Sequence, residues 1–178
     1  TAYVHSQSVL GVHIDRLDSQ TIAFSQKAYI EKLIKKYDLG GKKAKHVPIR
    51  EGIEKDYDPD DMSTSHLDSQ LPYRSLNMEL MWIARSYRMD ILYACTFFAR
   101  FSQCYTNQLF EEMKDIVLYL MGTIDFRLIF RVNPRDEIKV HFMCDADFAM
   151  QPNRKSVVGI IGWVNDCVIY SQSSTTNT

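Results

Sequence analysis

The apolar residues Val9, Leu10, Val12 and Ile14 fall at near-alternate positions among polar ones, which predicts a strand over 9–17. Asp18-Ser19-Gln20 supplies a turn, and 21–24 returns as a second short strand to close a hairpin. The period then changes. Tyr29, Ile30, Leu33, Ile34 and Tyr37 recur at three-four spacing, so 26–37 is expected to be a helix with Ser25 as its N-cap and Gly40-Gly41 at its end. From 42 to 71 no period is sustained, and Tyr57-Asp58-Pro59-Asp60-Asp61 is acidic and turn-forming, as expected of a long connector.

Helical spacing resumes at Pro72, a residue suited to a first turn, and Tyr73, Leu76, Leu80, Ile83, Ala84 and Tyr87 mark one face of a helix over 72–88. A second helix is expected over 90–102 with Asp90 as its N-cap. A third runs over 106–121, with Phe110, Met113, Ile116, Val117 and Leu120 on its apolar face and Gly122 as its stop. Trp82, Phe97, Phe98 and Phe101 sit at spacings that suit core packing. After Gly122 the pattern turns to strands over 126–132, 138–144, 156–164 and 167–170, with 138–144 paired to 156–164. Helices followed by an antiparallel sheet define an α+β chain whose two sub-regions, 1–122 and 123–178, meet near Gly122.

The chain has 178 residues, 46% of them hydrophobic and 24% charged, enough apolar surface for a buried core in one domain or two small ones. Its formal net charge of -1 provides no global field for nucleic acid or an anionic membrane. Phosphate contact is therefore local, and Lys32, Lys35, Lys36, Lys42, Lys43 and Lys45, with Arg154 and Lys155, are the residues that cluster for it; a solvated face or turn is the plain alternative. Cys95, Cys104, Cys144 and Cys167 include no CxxC pair, and the five histidines include no i, i+4 pair, so zinc and histidine-based triads have little support. With no signal peptide and no apolar run near the ~20 residues that span a bilayer, the expected setting is intracellular, cytoplasmic or nuclear, with free thiols and no membrane partner. The start at Thr1 and the polar string 171–178 are read as trimmed ends.

Several blocks carry a family resemblance. Leu10-Gly11-Val12-His13-Ile14 followed by Ile22-Ala23-Phe24-Ser25-Gln26, Pro72-Tyr73-Arg74-Ser75-Leu76, Leu80-Met81-Trp82-Ile83-Ala84, Asp90-Ile91-Leu92-Tyr93-Ala94 and Tyr119-Leu120-Met121-Gly122-Thr123 occur in that order. They resemble the LG-x-x-I, SQ, PYRSL, LMYLA, RPDI-x-YA and YLKGT blocks of copia-type retrotransposon polyproteins. Cys144-Asp145-Ala146-Asp147-Phe148-Ala149, with Arg154-Lys155-Ser156 and Gly159, resembles the SDADWA and RKSTSG blocks that open the RNase H domain of that family. The resemblance spans nearly the whole chain. It implies a late reverse-transcriptase region with a primer grip and helical thumb, followed by an incomplete RNase H-like sheet. It also implies an intact parent that handles primer-template and RNA/DNA hybrid with Mg2+, alongside the rest of the polyprotein.

The same resemblance implies that Asp145 is the first RNase H acid and a metal ligand. Polymerase and RNase H chemistry both use two metal ions held by several carboxylates. The family's polymerase aspartates lie upstream of this segment, and no acid follows Tyr170-Ser171-Gln172-Ser173-Ser174, where the resemblance implies the next one downstream. Asp147 is two residues from Asp145, ~6 to 7 Å along an extended strand, and for this segment taken alone the Asp-x-Asp pair reads first as a turn-forming surface pair. No cofactor and no activity are expected of the chain alone. Met89, Met121 and Val157-Val158 stand where the family has proline, lysine and Thr-Ser, and lost basic residues weaken phosphate contact. These departures keep a second expectation open: a non-catalytic host protein descended from such an element and used for protein or nucleic-acid interaction.

Overall fold

In the computed structural model, residues 6–60, 71–131, 133, 135–147 and 155–176 are described. The chain is α+β: among the described residues, four α-helices are joined to two antiparallel sheets. The first sheet has the order β1 (Ser6–Val9), β2 (Val12–Arg16), β3 (Thr21–Ser25), β4 (Leu128–Arg131), and the second the order β5 (Val140–Asp147), β6 (Ser156–Val164), β7 (Cys167–Thr176). No helix among the described residues is long and apolar enough to cross a membrane.

The expected single strand over 9–17 is two strands. Val9 pairs with Val12, and the loop between them has φ of 52° at Leu10 and 81° at Gly11. Positive φ at both central residues is the turn whose twist suits a two-residue hairpin, so the apolar run doubles back instead of continuing. β4 hydrogen-bonds to β3, with Phe24 opposite Leu128 and Ala23 opposite Ile129. Strands on the two sides of the helical region thus share a sheet, and β4 belongs to a different sheet from the later strands although it packs against β7.

Helix α1 (Lys27–Lys36) has Gln26 at its N-cap with no side-chain cap, and Ser25 ends β3. Its C-terminus closes through Leu39 N–H to Ile34 C=O (2.9 Å) and Asp38 N–H to Lys35 C=O (3.3 Å), with Asp38 at φ 52°. This is a Schellman closure with aspartate in the usual glycine place. It comes before Gly40-Gly41 because Leu39, 1% exposed, has to enter the core at that point.

Helices α2 (Tyr73–Ser86), α3 (Leu92–Ala99) and α4 (Asn107–Gly122) match the three predicted segments. Thr106 caps α4 by accepting the Leu109 N–H at 3.2 Å. Asp90 does not cap α3, whose N-cap is Ile91; a short 3-10 turn over Met89–Ile91 comes first and frees Asp90 for another role. Phe97, Phe98 and Phe101 are buried as expected, whereas Trp82 is 39% exposed on the outer side of α2. Tyr73 stacks on Tyr105 with ring centroids 4.6 Å apart and donates its hydroxyl to the Phe98 carbonyl at 2.9 Å, tying α2 to α3.

The connector is partly ordered along this core. Lys45 N–H reaches the Leu118 carbonyl at 3.3 Å, and Ile53 is buried in a single 3-10 turn. Where the connector crosses α4, a Cβ on Gly122 would lie 3.1 Å from the Ala44 Cβ and 3.2 Å from the Lys45 carbonyl oxygen. Glycine at 122 therefore permits a close backbone crossing as well as ending the helix.

The second sheet keeps the predicted pairing of 138–144 with 156–164, extended to Asp147 opposite Val157. β7 runs on to Thr176 through residues expected to be a polar tail. Ser and Thr are admitted there because the ladder with β6 satisfies their backbone, and Ser173 meets Thr96 of α3, hydroxyl to hydroxyl, at 3.3 Å. Cys167 links the two sheets: it is buried, with its Sγ 3.3 Å from the Arg131 N–H.

Candidate functional site

The pleat of β5 turns His141, Met143, Asp145 and Asp147 to one face and Val140, Phe142, Cys144 and Ala146 to the other. The face with Asp145 continues through Gly159, Ile161 and Trp163 on β6 and Ser171 and Ser173 on β7. It looks across a cavity of about 610 Å³ toward Arg88, Asp90, Leu92 and Tyr93, with Phe126 and Leu128 at one side. The walls are mostly apolar, and Asp145 and Asp90 bring carboxylates to them. Asp145 is exposed and takes the Ala146 N–H on its Oδ1 at 2.9 Å.

Asp145 and Asp147 thus share a face, opposite Gly159 and Val157 respectively. Among the described residues, no three His, Cys, Asp or Glu side chains come together in a group that could hold a metal ion. The pair alone does not fit a two-metal centre, and no catalytic step through a metal is assigned to this chain.

The best-built polar cluster lies at the cavity's helical wall and was not foreseen. Arg88 is 3% exposed. Its Nε donates to Asp90 Oδ1 at 2.9 Å and its Nη2 to Asp90 Oδ2 at 2.8 Å, a two-pronged pair. Nη1 and Nη2 also donate to the Thr123 carbonyl (3.1 Å) and hydroxyl (2.6 Å), and the Tyr119 hydroxyl donates to Asp90 Oδ2 at 2.8 Å. The guanidinium stands 5.3 Å from the ring centroids of both Tyr119 and Phe126.

Burial opposes the charge on Arg88, but the hydrogen bond and charge of Asp90 more than offset it and raise its pKa. Burial likewise disfavours the Asp90 carboxylate, yet Arg88 and the Tyr119 hydroxyl hold it below the usual range. Two sequence blocks some thirty positions apart, one with Arg88 and Asp90 and the other with Tyr119 and Thr123, meet in this cluster. An arginine two residues before an aspartate at a helix break was the available signal, and only the fold supplies the aromatic and hydroxyl partners.

The lysine group is spread around α1 and the connector. Lys36 pairs with Glu79 (2.9 Å), Lys45 with Asp115 (3.1 Å) and Lys42 with Glu111 (3.9 Å). Glu111 also takes Lys114 one turn along α4. Lys32, Lys35 and Lys43 are exposed and, among the described residues, have no carboxylate within ion-pair distance. Lys155 is half-buried just before β6, and Arg154 lies outside the described residues. Half of the six thus lie within ion-pair distance of a carboxylate on α2 or α4.

No protein-family model matches the chain, and no solved structure matches it significantly.

Proposed function

We propose that this chain is a piece of a copia-type retrotransposon polyprotein, running from late reverse transcriptase (1–122, primer-grip and thumb-like) into an RNase H-like opening sheet (123–178). In its intact parent it handles primer-template and RNA/DNA hybrid with Mg2+, and alone it is inactive. The observation that carries this reading is the way the quoted blocks fit together. The Arg88–Asp90 pair of one block closes on Tyr119 and Thr123 of another, and the Asp145 strand pairs with the strand that follows Arg154-Lys155, putting Asp145 opposite Gly159. Separate short words of sequence that meet in one cluster and one hairpin are a stricter coincidence than the words alone.

Hybrid contact in the parent is assigned to Lys32, Lys35 and Lys43, with the ion-paired Lys36, Lys42 and Lys45 contributing less. Such binding weakens as salt rises, because it releases counterions. The low free positive charge favours the second reading, a host protein without catalysis, only to the extent that binding is absent at low salt.

The test joins genomic and enzymatic arms. Flanking sequence is expected to continue in frame, with an aspartate pair upstream and an acidic block downstream. A protein extended to include them should cut an RNA/DNA hybrid with magnesium, and Asp145→Asn should abolish the cutting. The 178-residue chain should neither extend a primer nor cut. Start and stop codons framing this segment, or Asp145-dependent cutting by the short chain, would overturn the proposal.

A further inference from the structure

We propose that the cavity between the second sheet and the helical body binds a small organic ammonium ion carrying an aromatic group, with Asp145 holding the charged head. The inference does not rest on the proposed function and starts from the charges on the cavity wall. Four charged side chains line it: Arg88, Asp90, Arg127 and Asp145. Arg88 and Asp90 hold each other at 2.8 Å, and Arg127 lies 3.6 Å from Asp15 of β2. Asp145 has no such partner among the described residues, and its one hydrogen bond there comes from the Ala146 N–H. The cavity thus presents one carboxylate whose charge is unanswered.

The surroundings of that carboxylate select the ligand. Two residues along the ladder from Asp145 and Gly159, Met143 and Ile161 face each other on the same side of the sheet, ~6 to 7 Å away. Gly159 bears no side chain, so the place directly across from Asp145 stays open toward the cavity. Beyond Met143, Trp163 is stacked on His141 with ring centroids 5.1 Å apart, and Leu92, Tyr93 and Phe126 close the helical side. The volume of about 610 Å³ lies within the ~300 to 1,000 Å³ usual for small-molecule sites, which combine apolar walls with a few placed polar groups. Such walls bury a flat aromatic body, and the one unanswered carboxylate orients its cationic head.

Other ligand classes fit this wall less well. A small anion would face Asp90 and Asp145, while both arginines are already engaged with carboxylates. A divalent cation is held by several oxygens, and among the described residues no three metal-binding side chains come together. A neutral apolar molecule fills the space and leaves Asp145 without a counter-charge. A three-carbon arm between ring and ammonium matches the spacing from Asp145 to the Met143–Ile161 pair, ~6 to 7 Å, and so seats the ring on apolar side chains while the head reaches the carboxylate.

The test titrates the full 178-residue chain, in EDTA, with three probes of one skeleton: 3-phenylpropylammonium, 3-phenylpropanol and 3-phenylpropanoate. Binding is followed by the NMR shifts of the Gly159 and Ile161 amides and the Trp163 indole N–H. The ammonium is expected to bind about five-fold more tightly than the alcohol, the contribution of one exposed ion pair, and the carboxylate to bind least. Asp145→Asn should bring the ammonium down to the affinity of the alcohol and leave the alcohol unchanged, a charge-specific effect that a fold defect does not produce. Gly159→Leu should abolish binding of every probe. A Cβ at 159 meets nothing closer than the Asp145 carbonyl oxygen at 3.9 Å, so the sheet accepts the side chain while the cavity loses volume. Absence of binding by all the probes, affinities that ignore the charge of the head, an ammonium preference that survives Asp145→Asn, or binding that survives Gly159→Leu would each overturn the proposal. With magnesium chelated and no nucleic acid present, these outcomes are separate from hybrid cleavage in the parent.

Discussion

Arg88 concentrates more interactions than any residue singled out from sequence. It is buried, pairs with Asp90 through two nitrogens, serves both oxygens of Thr123, and lies against two rings. Lysine keeps the charge at such a site but cannot supply the planar fork. Arg88→Lys is expected to destabilise the chain by about 2 kcal/mol, through the loss of charge-assisted hydrogen bonds that the fork makes to Asp90 and Thr123, read as a shift in the urea midpoint without a change in slope. The same pair sets an acid limit. Asp90 has a folded-state pKa below its unfolded one, so its contribution is fully present above the unfolded value and is lost as pH falls through the folded value. Stability measured by denaturant titration should therefore drop below about pH 4 in the unmodified chain, more steeply than in Asp90→Asn. Equal slopes in the two proteins would remove Asp90 from the account.

The elements were read best where burial and local period agree. α2 and α4 carry their buried apolar residues on the face predicted from three-four spacing, whereas α3 is buried on most of its sides. Misreadings fell at ends and turns. Ser25, Asp90 and Gly40-Gly41 are good local signals for caps, yet a strand register, an ion pair and the entry of Leu39 into the core took precedence at those points. The β1–β2 turn was hidden for a related reason: Leu10 is apolar and 80% exposed, in a conformation that favours glycine or asparagine. Leu10→Asn is expected to raise stability by about 1 kcal/mol, visible as a higher melting temperature, because it relieves the left-handed strain without removing a buried contact. A lower melting temperature would mean that Leu10 packs against something the exposed turn does not reveal.

At the scale of the molecule, the two sheets differ in how they are held. The large buried cluster is built from α1 to α4 and the connector, with Phe24 and Leu128 of the first sheet packed against it, and among the described residues it draws nothing from β5, β6 or β7. The second sheet instead rests on α3 and β4 through the rim of the cavity, Cys167 and the Ser173–Thr96 contact. Local opening should follow burial. Hydrogen exchange is expected to release the amides of β5 first and those of α2 and α4 last. Protection of β5 equal to that of α4 would contradict this order.

The chain's own sequence determined the α+β class, the helical faces, the pairing of 138–144 with 156–164, and which of the quoted blocks lie on helix or strand. Those properties follow from apolar spacing, which is local. Only the tertiary structure decided that β4 returns to β3, that Arg88 and Asp90 meet Tyr119 and Thr123, that Lys36, Lys42 and Lys45 lie within ion-pair distance of carboxylates on α2 and α4, and that Asp145 faces a cavity. Each of these joins residues distant along the chain. Such a partnership depends on which buried surfaces pack together, and the period of a single segment carries no record of its partner.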